Sequence, residues 1–181
     1  MCYLLNLHLD GSNPPTTANP IIIENENEMK QFRTLYGTNI PNLIEYVREY
    51  ISIRENVEIL IGSDSQCYGN KKTIYGVVIA LYTPGKGAHV LCTRETTSME
   101  YNTPSRLLNE VWKSIEIAEW LKENGLPKPT WIDIDLNPDP KYKSNSVLRQ
   151  AVGLVEGMGY KVRYKHLGAL TTYAANHLVR I

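Results

Sequence analysis

The alternation of apolar and polar residues predicts most of the secondary structure of this chain. Segments 57–64, 73–82 and 89–97 are rich in β-branched and aromatic residues, and short polar turns separate them. Three strands joined by such turns form an antiparallel meander. Residues 59–61 are all apolar, so the first strand lacks a polar face and is expected to be covered on both sides.

The remaining segments alternate between the helical period and the strand period. Helices are predicted at about 40–53, 105–124, 144–158 and 169–179, and further strands at 130–136 and 160–165. Because strand 130–136 is reached through a helix, we expect it to lie parallel to the first strand. The order βββ-α-β-α-β-α, with one helix in front, predicts an α/β fold with a mixed five-stranded sheet flanked by helices.

Residues 1–38 are predicted to form an N-terminal extension, and residues 39–181 a single domain. A chain of 181 residues, 43% hydrophobic and 21% charged, suits one globular domain with an extension. Prolines cluster between residues 11 and 20, as in a linker-like loop, and the extension shows no recognisable chemistry. Its apolar runs are too short for a membrane span, and we recognise no targeting signal.

The cysteines indicate a reducing compartment. Cys2, Cys67 and Cys92 are odd in number and lack both CxxC and zinc-site spacing. A disulfide framework is therefore not expected, and reduced thiols in the cytoplasm fit best.

Charge is distributed unevenly, although the formal net charge is zero. Residues 141–181 contain seven Lys or Arg residues and one Glu, a balance of 7 − 1 = +6. A basic surface of this kind could face phosphates, whereas a solvated surface is the alternative for any charge run. The candidate nucleic-acid-binding residues are Lys141, Lys143, Lys161, Arg163 and Lys165. The last three alternate along one strand and so share one face.

Asp64 stands where the first strand ends, within the polar turn Gly-Ser-Asp-Ser-Gln at residues 62–66. A carboxylate at the end of a core strand is costly unless a metal ion or a cationic partner pairs with it. The alternative is an Asx-turn in which Asp64 only caps its own backbone.

Two further acids are expected to meet Asp64. Asp133 and Asp135 alternate with apolar residues, so both project from one face of strand 130–136. If this strand lies beside the first and parallel to it, Asp64 and Asp135 share the sheet end where α/β folds usually bind ligands. Glu110 lies in the first turns of its helix, at the margin of the buried stripe.

Clustered carboxylates repel one another unless a cation neutralises them. Oxygen ligands suit Mg²⁺ or Mn²⁺, and two such ions about 4 Å apart can activate water and stabilise the leaving oxygen in phosphodiester cleavage. The alternative is three unrelated surface acids, each forming a cap or a salt bridge.

The order of these elements and acids resembles the ribonuclease H-like fold and, more narrowly, the YkuK-type ribonuclease H-like family. The segments that carry the resemblance are residues 62–66, 106–111 and 132–138, followed by Lys143-Ser144-Asn145. The resemblance covers roughly residues 40–181 and leaves the extension outside.

This resemblance implies a two-metal nuclease centre in which Asp64, Glu110 and Asp135 are catalytic and bind Mg²⁺ or Mn²⁺. It also implies a fourth group from the last helix, usually Asp and in some resolvases His. Here the matching stretch is Ala-Ala-Asn-His at residues 174–177, with Asn176 in the position of the Asp. Asn is a poorer ligand than Asp, and His177 points about 100° away from it on a helix. Either His177 acts as ligand or proton shuttle, or the second metal is weak, or catalysis is lost.

Two main functions are therefore expected. The first is a divalent-metal-dependent nuclease acting on RNA, RNA–DNA hybrid or structured DNA. The second is a nucleic-acid-binding module of the same fold with little or no catalysis, which Asn176 and the zero net charge favour. A small-molecule enzyme is a weaker third reading, because no Gly-rich phosphate loop occurs. No membrane partner is expected, and nothing in the sequence indicates a homo-oligomer.

Overall fold

The computed structural model describes residues 31–165, 167 and 169–180. Within them the strands are β1 (Phe32–Thr34), β2 (Asn39–Ile40), β3 (Glu58–Tyr68), β4 (Lys72–Thr83), β5 (Gly87–Ser98), β6 (Trp131–Ile134) and β7 (Val162–Tyr164). The helices are α1 (Leu43–Ser52), α2 (Thr103–Glu123), α3 (Leu148–Gly157) and α4 (Leu170–Val179). A 3-10 helix at Lys143–Val147 leads into α3.

The strands form one open sheet of mixed direction, in the order β2-β1-β5-β4-β3-β6-β7. β3, β4 and β5 are the antiparallel meander that their short turns predict. β6 lies parallel to β3, with residues 60–62 opposite residues 131–133, and β7 lies parallel to β6. The expected pairing of the first strand with strand 130–136 is therefore confirmed.

Different helices cover the two faces of the sheet. Ile61 of β3 packs into the main hydrophobic core with residues of α1, α2 and α3. On the opposite face, Val78 and Cys92 pack against Ala175 and Leu178 of α4 in a smaller cluster. β3 is consequently covered on both sides, as its continuous apolar run predicts.

The predicted α/β class, the five strands and the four helices are all confirmed, with small shifts at their ends. α2 begins at Thr103, two residues before the predicted start, because Asn102 Oδ1 accepts a hydrogen bond from Ser105 N at 2.9 Å. An N-cap followed by Pro104 at the second helical position is a favourable helix start.

Two short strands at the edge of the sheet were not predicted. β1 pairs with β5, and β2 pairs with β1, so this part of the predicted extension joins the sheet. Phe32 and Ile40 contribute buried side chains to the main core. Strands of two or three residues are too short to show a period in the sequence. Residues 1–30 lie outside the described residues, and the domain boundary at residue 38 stays a prediction.

None of the helices in the described part of the chain combines the length and the apolarity needed to cross a membrane.

Candidate functional site

Asp64 lies on the α4 side of β3, within the strand rather than at its predicted end, because β3 continues to Tyr68 in the hairpin with β4. It lies close to the end of β6, whose last pairing with β3 is Asp133 with Gly62. Its side chain is buried, with 8% exposure. Asp64 Oδ1 accepts a hydrogen bond from Ser65 N at 2.8 Å, and Oδ2 accepts one from Asn176 Nδ2 at 2.7 Å. Burial raises the pKa of Asp64, while these two hydrogen bonds act in the opposite direction. The alternative of an Asx-turn is not what the structure shows, because residues 62–66 continue β3 and the backbone contact of Asp64 is with the adjacent Ser65.

Glu110 is carried by the buried face of α2. It shares that face with Leu107, Ser114 and Ile117, as helical spacing predicts. Its side chain is only 4% exposed. Burial, followed by the charge of Asp64, raises the pKa of Glu110 to about 8. A carboxyl group with this pKa is mostly protonated at neutral pH.

One hydroxyl group and one guanidinium group donate hydrogen bonds to Glu110 and hold it in place. Glu110 Oε1 accepts a hydrogen bond from Ser65 Oγ at 2.5 Å and another from Arg106 Nη1 at 3.1 Å. Arg106 also donates to the Ser65 carbonyl and hydroxyl oxygens. Ser65 therefore links the strand of Asp64 to the helix of Glu110, and Arg106 supplies a positive charge to both acids.

Asp135 follows the last residue of β6, Ile134. Its side chain is 28% exposed, and its Oδ1 lies 3.3 Å from Lys165 Nζ. Glu110 and Asp135 line one narrow cleft together with Ser63. Besides burial, the charge of Asp135 raises the pKa of both Asp64 and Glu110. The structure thus brings the three predicted carboxylates close enough for their charges to interact.

The three carboxylates have the oxygen chemistry of a Mg²⁺ or Mn²⁺ site, and a cation among them would relieve their repulsion. Each carboxylate is instead held by an internal donor: Asp64 by Asn176, Glu110 by Arg106 and Asp135 by Lys165. Among the described residues, no three His, Cys, Asp or Glu side chains already form a group that could hold a metal ion. Metal binding would therefore require side chains to exchange these internal donors for the ion.

Asn176, rather than His177, makes the contact from α4. Its amide reaches Asp64 Oδ2, whereas His177 occupies the next helical position and is exposed to solvent. The geometry therefore places Asn176 where the resemblance predicts the fourth group. The catalytic role of His177 stays a prediction.

Asp133 and Asp135 differ in environment, since Asp133 belongs to β6 and Asp135 lies just beyond its end. Asp133 is 1% exposed, and its carboxylate accepts hydrogen bonds from Arg163 Nε at 2.8 Å and Thr171 Oγ1 at 2.7 Å. This fully paired acid has an internal structural role. It also means that Arg163, a predicted nucleic-acid-binding residue, directs its guanidinium into the protein.

The other predicted cations lie on the surface. Lys141, Lys143, Lys161 and Lys165 are exposed. Lys141 Nζ lies 2.7 Å from Asp139, and Lys161 Nζ lies 5.4 Å from the centre of the Trp131 ring. Exposed ion pairs of this kind are weak, so they leave the lysines able to exchange partners.

Sequence reasoning missed the roles of Arg106 and Tyr68. Arg106 precedes Glu110 by four residues, and an ion pair at helical spacing could have been predicted from that. The Tyr68 hydroxyl donates to Val179 O at 2.5 Å and ties the end of β3 to α4. That contact joins positions 111 residues apart, so no local signal reveals it.

Comparison with known proteins places the chain in a family. A family model described as Ribonuclease H-like matches residues 41–180, which is 180 − 41 + 1 = 140 of the 181 residues. No curated protein matches the chain.

Proposed function

Because the chain belongs to the ribonuclease H-like family, we propose that it is a divalent-metal-dependent nuclease of the YkuK type. Its substrate would be RNA, RNA–DNA hybrid or structured DNA. The observation that carries this proposal is the convergence of Asp64, Glu110 and Asp135 where β6 ends beside β3. Burying two acids with raised pKa values, Asp64 and Glu110, beside a third is unfavourable for stability alone, and such clusters are typical of functional sites.

Each acid has a role in this proposal. Asp64 and Asp135 would be the main ligands of Mg²⁺ or Mn²⁺, and Glu110 would bind the ion or orient the attacking water. A bound divalent ion supplies a nucleophilic hydroxide and stabilises the negative charge on the phosphate. Ser65 would keep Glu110 oriented, because its hydroxyl donates to Glu110 Oε1.

Two features favour one ion over two. Asn176 offers a neutral amide where a fourth carboxylate would complete a second site. Arg106 already supplies a positive charge beside Glu110, at 3.1 Å. A fixed cation in that position opposes the binding of a further cation.

Exposed lysines would hold the nucleic acid. Lys165 pairs with Asp135 and so borders the proposed site, while Lys141 and Lys143 follow Asp135 along the chain, just before and at the start of the 3-10 helix. Phosphate contacts by lysines give affinity without sequence specificity, and they make binding sensitive to salt.

The second candidate function is a nucleic-acid-binding module that does not cleave. The internal donors at Asp64, Glu110 and Asp135 favour it, since they satisfy the acids without a metal ion. This candidate predicts salt-sensitive binding to nucleic acid with no product in Mn²⁺.

A cleavage assay distinguishes the two. Labelled single-stranded RNA, RNA–DNA hybrid and branched DNA of related sequence are incubated with the chain in Mn²⁺ or in EDTA. The nuclease proposal predicts products in Mn²⁺ alone and none with Asp135→Asn. Asp139→Asn is the matched control, because Asp139 lies in the same loop but pairs with Lys141 outside the cluster. Binding of all three substrates without cleavage would support the second candidate instead.

A further inference from the structure

The first turn of α4 is held by a carboxylate from a distant strand. Thr171 N and Thr171 Oγ1 donate to Asp133 Oδ2 at 3.0 and 2.7 Å. The residue that precedes the helix, Ala169, provides no side-chain cap. Asp133 therefore satisfies the free N–H group at the start of α4, as a local N-cap residue does in other helices.

Arg163 fixes the orientation of this carboxylate. Arg163 Nε donates to Asp133 Oδ1 at 2.8 Å, and Arg163 Nη2 donates to Oδ2 at 3.1 Å. Such a bidentate pair constrains both the position and the plane of the carboxylate. The start of α4 is thereby fixed relative to β6 and β7.

Two glycines let α4 lie directly on the strands around Asp64. Gly62 precedes Asp64 on the same face of β3, and Gly76 of β4 is paired with Asp64. A Cβ atom on Gly62 would lie 3.0 Å from Thr171 Cβ, and one on Gly76 would lie 2.9 Å from Val179 Cγ1. Neither strand position therefore has space for a side chain beneath the helix.

We propose that Asp133 and Thr171 are positioning residues that set α4 so that the Asn176 amide reaches Asp64. Asn176 lies five residues after Thr171 on a rigid helix, so the placement of the first turn determines where its side chain points. This inference deepens the proposed function. It rests on the proposed function only because it treats Asp64 as a metal ligand. The contact between Asn176 and Asp64 is itself independent of metal.

Variants of Thr171 test the proposal in the full chain. Thr171→Val removes the hydroxyl and keeps the shape, while Thr171→Ser restores a hydroxyl. Thr172→Val is the matched control, because Thr172 is also buried but its hydroxyl donates to Ala169 O within the same segment, at 3.1 Å. If Thr171→Val does not fold, Thr171→Ala removes the same hydroxyl with a residue that favours helix.

The decisive measurement is the ¹⁵N NMR signal of the Asn176 side-chain amide without metal, assigned by its loss in Asn176→Ala. We expect this signal to move towards that of a solvent-exposed Asn in Thr171→Val and to stay in place in Thr171→Ser and Thr172→Val. The proposal would be overturned if the Asn176 signal did not move in Thr171→Val, or if it moved equally in Thr172→Val. A purely structural role predicts the same effect on the Asn176 signal from both buried threonines.

Calorimetric titration with Mn²⁺ separates this proposal from the proposed function. Thr171→Val is expected to weaken Mn²⁺ binding about tenfold, because Asn176, once its amide has released Asp64, would offer its side-chain oxygen to the ion from the same position on α4. If neither the wild type nor any variant binds Mn²⁺, the proposed metal site is wrong. The NMR signal still decides whether Thr171 positions Asn176.

Discussion

Asn176 Nδ2 donates a hydrogen bond of 2.7 Å to Asp64 Oδ2, between residues 112 positions apart in the chain. Asp64 is buried, so its ionised form needs a donor, and Asn176 provides one without adding charge. The neutral amide thus stabilises the cluster in the absence of a cation, where a fourth carboxylate would increase the repulsion. This relationship leads to the first prediction.

Asn176→Asp should make the protein less stable without metal and better at binding it. Replacing a donor to a buried carboxylate by a like charge is expected to lower the free energy of unfolding by about 1–3 kcal/mol in EDTA. Calorimetry with Mn²⁺ should then show tighter binding or a second ion, because the site gains a hard ligand. Asn176→Ala controls for the lost hydrogen bond. Equal Mn²⁺ binding by the Ala and Asp variants would contradict the prediction.

Arg106→Gln should also lower the stability of the metal-free protein and raise its affinity for metal. Glu110 loses an adjacent cation, and the partial exposure of Arg106, 19% of its side chain, keeps the expected loss modest. We expect the free energy of unfolding to fall by about 1–2 kcal/mol and Mn²⁺ to bind more tightly, since a competing positive charge is gone. Lys122→Gln is the control, because its ion pair with Glu119 is solvent-exposed and should change stability by less than about 0.5 kcal/mol. Weaker Mn²⁺ binding in Arg106→Gln would instead indicate that Arg106 orients a ligand.

The stability of the metal-free protein should fall as the pH rises from about 5 to about 8 and level off above that. Burial raises the pKa of Glu110 from 4.5 in the unfolded chain to about 8 in the folded one. Between these values the folded chain holds a proton that the unfolded chain has released, so rising pH favours unfolding. Urea denaturation in EDTA from about pH 5 to pH 9 measures this slope. It should flatten in Glu110→Gln, and a wild-type stability that increases throughout this range would show that Glu110 is ionised when folded.

Substitution of two glycines by Ala should have opposite effects. Gly62→Ala places a Cβ atom 3.1 Å from Asp133 O and against Thr171, so we expect it to lower the free energy of unfolding by about 1–3 kcal/mol. Gly153→Ala meets no atom within 4 Å in α3 and should raise it by about 0.4–1 kcal/mol, because Ala restricts the unfolded chain and favours helix. Thermal denaturation compares the two. Equal changes in the free energy of unfolding for the two variants would mean that α4 lies farther from β3 than the structure shows.

The sequence was sufficient to predict the main helices and strands and the three acids, because each of them carries a local signal. The apolar run before Asp64, the helical spacing of Glu110 and the alternation around Asp135 are visible within ten residues of each site. The helix between β5 and β6 then made the parallel pairing of β3 and β6 predictable, and that pairing brings Asp64 and Asp135 together.

The sequence was insufficient where the geometry depends on contacts between distant elements. The acidic partner of Thr171 lies 38 positions away, and the short strand β1 is defined by its pairing with β5 rather than by a period of its own. The alternation of residues 161–165 predicts a common face for three cations, but their partners depend on the acids of the neighbouring strand. Arg163 therefore pairs with buried Asp133, and the electrostatic pattern alone could not distinguish this from an exposed nucleic-acid contact.

Calorimetric titration of the full chain with Mn²⁺ tests the central claim most directly. The account predicts saturable binding by the wild type, a loss of at least about tenfold in affinity for Asp64→Asn, and unchanged binding for Glu45→Gln, an exposed acid in the first turn of α1. No binding by the wild type, or equal binding by Asp64→Asn, would contradict a metal centre formed by Asp64, Glu110 and Asp135.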